Sequence, residues 1–192
     1  MHPMEVLVTA TLLFVLVGGV AMFFSIYNGL VALKNGVSRA WSNIDVLLKQ
    51  RHDELPKLID VVKSHAGYER ELLDKLTALR TRAGSGAPDA HRLATEGQLS
   101  RGIGQLLATA EAYPELRASA SYLELQRRIS ALEEQIAHRR EYYNAAVNLN
   151  NVRMEQFPDV LLVGVAGLIT RPLFAAEAQE QADVSVGALL AR

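Results

Sequence analysis

No cysteine occurs among the 192 residues. Disulfides and thiolate metal ligands are therefore excluded, and the redox compartment leaves no mark on the chain. Net charge is nearly absent as well, with 20 basic residues against 21 acidic ones. A dedicated nucleic-acid binder needs a basic surplus, so no nucleic acid is expected as a partner. Aromatic residues make up 6% and prolines number six. With β-branched runs scarce beyond the N-terminus, that composition predicts an all-α chain.

Reaction chemistry is missing too. There is no nucleophile motif, no phosphate-cradling glycine loop, no strand-helix alternation and no zinc-binding histidine spacing. A carboxylate-bridged metal site in a helical bundle needs inward Glu residues on two helices and Glu-x-x-His pairs on the other two. The nearest approach, Glu134 with His138, is spaced by four and stands alone, which reads as a surface pair. His52, Asp53 and Glu54 are consecutive and read as a turn surface. His65 lies on an apolar face and reads as a core or rim histidine. No catalytic residue, metal or cofactor is expected.

What the chain does have is hydrophobic patterning. Val6 to Ile26 spans 21 positions without a charged residue, enough for a helix to cross a hydrocarbon core of about 30 Å. Gly19-Val20-Ala21 resembles a signal-peptide cleavage site, and cleavage there would release a secreted helical protein. Against it, no Lys or Arg precedes the run and the apolar stretch continues past Ala21, so an uncleaved anchor is the reading taken. The first basic residues, Lys34 and Arg39, follow the run and place the rest of the chain in the cytoplasm by the positive-inside rule.

Leu30, Leu33, Val37, Trp41, Ile44 and Leu48 then recur every three or four residues and continue the membrane helix. Pro56 suits the first turn of a new helix, so the first is expected to end near Arg51, with a kinked continuous helix as the alternative. A second helix carries Leu58, Val61, Val62, His65, Leu72, Leu76 and Leu79 to about Arg82. Gly84 to Pro88 is a loop. A third helix, His91 to Ala112, is interrupted by Gly97, Gly102 and Gly104, glycines that permit close packing or local bending. The longest seam runs from Leu116 to Asn151, with Leu125, Ile129, Leu132, Ile136, Tyr143, Val147 and Asn150 on one face. Arg127, Arg128, Glu133, Glu134, Arg139, Arg140 and Glu141 form its solvated side. A helix this long needs others to cover its stripe.

The expected architecture is therefore an N-terminal transmembrane helix followed by an antiparallel up-and-down four-helix bundle. Residues 1–26 form the tail and anchor, 27–157 the bundle, 158–174 an apolar membrane-proximal segment and 175–192 a flexible tail. Two polar groupings stand out. Tyr27, Asn28, Tyr143 and Asn150 are candidates for a hydrogen-bonded layer near the membrane end, fixing helix register; the bland alternative is a solvated rim. Arg80, Arg82, His91 and Arg92 are candidates for a basic cluster at anionic headgroups, or simply solvated charge. Val160 to Ile169 is too short to span a bilayer. It is expected to dock at the membrane interface, or else to cap the bundle core.

Four patches carry a family resemblance. They are Tyr27-Asn28-Gly29-Leu30-Val31; Ala40-Trp41-Ser42-Asn43-Ile44-Asp45 with Leu48-Lys49-Gln50-Arg51; Glu111-Ala112-Tyr113-Pro114-Glu115-Leu116; and Arg140 followed by Tyr143-Asn144, Val147, Asn150 and Phe157-Pro158. Together, spanning Tyr27 to about Phe174, they resemble the LemA family of bacterial membrane proteins. The family's usual Arg-Tyr-Asp-Leu-Ile-Pro-Asn-Leu is here Arg51-His52-Asp53-Glu54-Leu55-Pro56-Lys57-Leu58, a departure that puts a shared contact at this turn in doubt. The resemblance implies one membrane helix, a four-helix bundle, no established catalytic residues and no settled activity. A relative in magnetosome membranes suggests roles in membrane organisation, and others accompany membrane proteases. The expectation is a non-enzymatic scaffold or adaptor in the bacterial cytoplasmic (inner) membrane, contacting the lipid bilayer and unidentified membrane protein partners, with homo-oligomer formation open. The alternative is an envelope enzyme or transport-complex subunit with a site at the bundle-membrane junction.

Overall fold

The computed structural model describes residues 3–64 and 70–174. Among them every regular element is helical: α1 Pro3–Ser64, α2 Arg70–Ala83, α3 Ala90–Ala110, α4 Pro114–Ala118, α5 Ala120–Glu155, a 3-10 turn Asp159–Leu161, and α6 Val163–Ala166. His65 and the 175–192 tail lie outside the described residues.

Two boundaries differ from the sequence reading, each for a local reason. Helix α1 does not end near Arg51 but runs unbroken through Pro56. A proline inside a helix removes its own N–H donor and so orphans the carbonyl four residues earlier. Here that carbonyl belongs to His52, and the Arg80 guanidinium Nε donates to it at 2.7 Å. The freed acceptor is thus satisfied from α2, and the helix tolerates the proline. The seam also continues past it, through Leu55, Leu58 and Val62, all fully buried. At the other boundary, Leu116 belongs to the short α4. Ser119 is extended (φ −77°, ψ 114°), and α5 begins only at Ala120.

The satisfied carbonyl gives a measurable coupling. Arg80→Met is expected to cost about 1–2 kcal/mol by leaving the His52 carbonyl unpaired. In a Pro56→Ala background the restored N–H takes that carbonyl, and the same substitution should cost close to nothing. A double-mutant cycle on denaturation midpoints reads the difference directly; equal costs in both backgrounds would remove Arg80 as the proline's compensator.

The chain divides into two compact units. One holds α1 up to Lys49 together with Glu134–Arg171. Its buried side chains are Leu30, Val37, Ala40, Ile44 and Leu48 from α1 and Ile136, Tyr143 and Val147 from α5. The Trp41 and Tyr143 rings meet edge to face at 5.8 Å. The other unit holds the described residues of Gln50–Glu133 together with residues 172–174. One apolar cluster there draws on five helices: Leu55, Leu58, Ile59 and Val62 of α1, leucines of α2, then Leu99, Ile103 and Leu106 of α3, Leu116 of α4, and Tyr122, Leu125 and Ile129 of α5. This core is therefore assembled from parts of α1 and α5 with α2, α3 and α4. Of the α3 glycines, Gly102 sets a close approach, since a Cβ there would sit 2.7 Å from Leu76 Cδ2. Gly104 faces open space.

Candidate functional site

The most polar interior lies in the second unit and is built on seam positions that carry charge. Arg51 occupies the α1 position between Leu48 and Leu55, and Glu96 the α3 position before Leu99; both are buried. Arg51 donates through Nη2 to Glu96, and through Nη1 to Ser100 Oγ at 2.6 Å and Glu133 Oε1 at 2.9 Å. Ser100 passes its own proton to Glu133 Oε2 at 2.8 Å, and His52 Nε2 lies 3.2 Å from Glu96 Oε2. Arginine suits this place because its planar fork serves several acceptors at once. For Glu96, burial pushes the pKa up, but the hydrogen bond with His52 and the charge of Arg51 outweigh it and hold the carboxyl below its usual range.

A hydroxyl bonded to a carboxylate is the beginning of an activated nucleophile. In this cluster, however, the Ser100 oxygen also accepts from the guanidinium, which draws electron density away from it. The geometry makes a polar lock joining α1, α3 and α5. Sequence reasoning placed the end of the first helix near Arg51, Glu133 on a solvated side and His52 on a turn. The available signal was the seam itself, whose three-and-four spacing passes through Arg51 without a break. Among the described residues, no three His, Asp or Glu side chains converge as a metal-binding group. Glu134 and His138 are both exposed.

The four residues of the expected polar layer do not form one. Asn28 is exposed. Tyr27 stacks on Phe23, with centroids 6.4 Å apart. Tyr143 and Asn150 are seven residues apart on α5, about 10 Å along the axis at 1.5 Å per residue, too far for a single layer. Tyr143 is fully buried against Trp41; burial pushes its phenol up, against a smaller opposing pull from Arg171. Asn150 is buried, and its Nδ2 donates to the Ile169 carbonyl at 3.1 Å. The neighbouring Asn151 donates to the Arg171 carbonyl at 3.1 Å and accepts from the Arg171 N–H at 3.2 Å.

The expected basic cluster is likewise split. Arg80 is committed to the His52 carbonyl. Arg92 is buried and donates to the Gly86 carbonyl, with Glu96 Oε1 4.0 Å away. Arg82 and His91 are exposed. Two of the four are thus used inside the fold, because Pro56 and the tight turn at Gly86 each present a carbonyl that needs a donor.

In the first unit the chain after α5 folds back onto the part of α1 that follows its apolar head. Ala166 and Leu168 are buried with Leu30, and Ile26, Tyr27, Leu33 and Met154 pack around them. Gly167, at φ +64°, caps α6 in the left-handed conformation, and Lys34 Nζ reaches the Ala166 carbonyl at 3.5 Å, a favourable place for a cation. Arg153 pairs with the buried Asp159. Beside this collar is an apolar groove of about 430 Å³, floored by small residues including Gly29, Ala32, Gly36 and Ala146 with Arg153 at its edge.

The sequence pattern of the LemA family matches residues 40–187. The chain belongs to the LemA family. It is 27% identical to Protein LemA of Metamycoplasma hominis over 175 residues, covering 88% of this chain and 80% of that protein. It is also 24% identical to Magnetosome protein MamQ 2 of Paramagnetospirillum magneticum over 191 residues, covering 86% of this chain and 70% of the relative. A further match is Magnetosome protein MamQ of Magnetospirillum gryphiswaldense, 22% identical over 73% of this chain and 61% of that one. None of these LemA-family relatives carries the name of an enzyme. The LemA-like motif residues fall into two sets. Trp41, Tyr143, Asn150 and Phe157-Pro158 belong to the first unit and its collar, while Arg51 is the hub of the polar lock.

Proposed function

We propose that the chain is a single-pass, non-enzymatic scaffold or adaptor of the bacterial cytoplasmic membrane, with its helical units on the cytoplasmic side and protein partners bound there. The observation that carries the reading is the head of α1. Every residue from Pro3 to Ser25 is exposed, and none of its most apolar stretch is covered by protein. An apolar surface of that length is stable only in lipid. Its hydroxyls turn inward: Thr9 Oγ1 donates to the Glu5 carbonyl at 2.9 Å and Thr11 Oγ1 to the Leu7 carbonyl at 2.9 Å, as a membrane interior requires. The non-enzymatic part is supported by the polar interior, where the Arg51 guanidinium bonds to Glu96, Ser100 and Glu133 together. Relatives named as magnetosome proteins fit the reading. The cytoplasmic side rests on Lys34 and Arg39 following the run with no basic residue before it.

Because the chain has no cysteine of its own, Ser85→Cys makes a clean reporter of side. In the full chain it is expected to resist a membrane-impermeant thiol reagent in intact cells and to react after permeabilisation; labelling of intact cells would reverse the orientation. The apolar groove beside Gly29 and Arg153 favours one second reading, an enzyme or transport subunit with a small ligand at the membrane junction. Native mass spectrometry of the detergent-purified full chain separates the two. Protein mass alone is expected, and a stoichiometric bound small molecule would favour the second.

A further inference from the structure

The collar has two faces, and only one is used. Its inner face, Ala166 and Leu168, closes over Leu30. Its outer face is apolar and open: Phe157 is 80% exposed, Leu161 68% and Val165 66%, with Val160 and Ile169 also exposed. Phe157 lies in the turn after α5, Leu161 in the 3-10 turn and Val165 in α6, so each successive piece of the segment leaves a large apolar side chain uncovered. Charge is absent from this face. Between Phe157 and Thr170 the one ionisable residue is Asp159, and it is buried and paired with Arg153. A solvated surface would carry charge here.

The location identifies the occupant. The collar packs on Ile26, Tyr27, Leu30 and Leu33, which begin at the last residue of the apolar run. Leu30 lies four residues beyond Ile26, about 6 Å along the helix. The headgroup layer extends about 5–7 Å past the hydrocarbon core on each side. The collar is therefore held between the end of the hydrocarbon core and the headgroup layer, packed against Tyr27, a residue of the kind that populates membrane interfaces.

We infer that Phe157, Leu161 and Val165 form a second membrane contact, an apolar wedge that inserts into the lipid interface next to the point where α1 enters the bilayer. This rests on the reading of Val6–Ile26 as a membrane helix. The ligand is the lipid acyl-headgroup boundary itself, recognised by apolar area rather than by a headgroup-specific site. Arg171 and Pro172, which follow the collar, leave it at headgroup level.

The test uses the full chain reconstituted in phosphatidylcholine-phosphatidylglycerol vesicles, with single-cysteine variants carrying an environment-sensitive fluorophore. Leu161→Cys and Val165→Cys report the wedge, Phe14→Cys the anchor, and Ser130→Cys, exposed on α5, the aqueous side. Lipids brominated near the carbonyls should quench the wedge labels about twofold, and more than lipids brominated near the acyl ends, because interfacial elements sit about 5–10 Å deep. The Phe14 label should show the reverse preference and the Ser130 label no quenching. If Phe14 is quenched while Leu161 and Val165 stay open to aqueous iodide, the wedge is wrong and the anchor stands. If the wedge labels are shielded from both iodide and brominated lipid, a protein surface covers them and the lipid assignment fails. If Phe14 itself is unquenched, the anchor reading falls and the wedge with it.

Discussion

Arg51→Ala is expected to lower the unfolding temperature of the full chain by about 10 °C, from a loss of about 3–5 kcal/mol. The guanidinium is fully buried and is the donor to Glu96, Ser100 and Glu133. Its removal leaves the Glu96 carboxylate inside the unit with His52 as its near partner, and Glu133 without its guanidinium donor. The cost is that of an unpaired buried charge, not of one hydrogen bond. Replacing both members, Arg51→Met with Glu96→Met, should recover most of the loss, since an apolar pair of similar volume needs no partner. Loss of helical circular dichroism on heating measures both. If the double variant is less stable than Arg51→Ala, the interpretation through a stranded charge fails.

The same cluster fixes a pH dependence. Glu96 is held below its ordinary carboxyl pKa in the folded chain, so below that ordinary value the unfolded state binds more protons than the folded one. Its contribution is therefore present above the unfolded pKa and is lost as pH falls through the folded one. Stability should decline from roughly pH 5 downward, and the decline should be shallower in the Arg51→Met, Glu96→Met variant.

The second large effect concerns the anchor. Leu13→Arg with Val17→Arg places two guanidinium groups on one face of the apolar run, four residues apart. Each substitution costs about 3 kcal/mol at a helix centre, so together they shift partitioning by roughly four orders of magnitude. The parent chain is expected to stay with the membrane pellet in alkaline carbonate and the double variant to move to the supernatant. Val46→Arg with Leu123→Arg, at exposed apolar positions outside the run, should leave the parent behaviour unchanged. Release of the parent by carbonate would end the anchor reading.

How much of this was legible depended on what each residue's role required. The all-α class, the apolar head of α1 and the seam of α5 follow from periodicity, which is a local property of the chain. Pro56 misled because its effect was judged within one helix, whereas the donor that makes it tolerable, Arg80, comes from another. Arg80 in turn was read as a headgroup-facing or simply solvated cation, since no local pattern reveals an orphaned carbonyl 28 residues away in sequence. Arg51 and Glu96 occupy seam positions, but a charge in a seam reads as a rim until its counter-charge is located. Asn150 was read as a member of a polar layer or of a solvated rim; its bond to the backbone carbonyl of Ile169 carries no side-chain signature at all.

That last contact has an evolutionary consequence. Asn150 and Asn151 hold the chain at Ile169 and Arg171 through main-chain groups, and such groups are the same whatever side chain sits on them. The outer residues of the collar can therefore be exchanged without dislodging it, while either asparagine cannot. A lineage adapting to a bilayer of different thickness or composition is free to re-tailor Leu161, Val165 or Ile169 one substitution at a time, with the scaffold's fold insulated from the experiment.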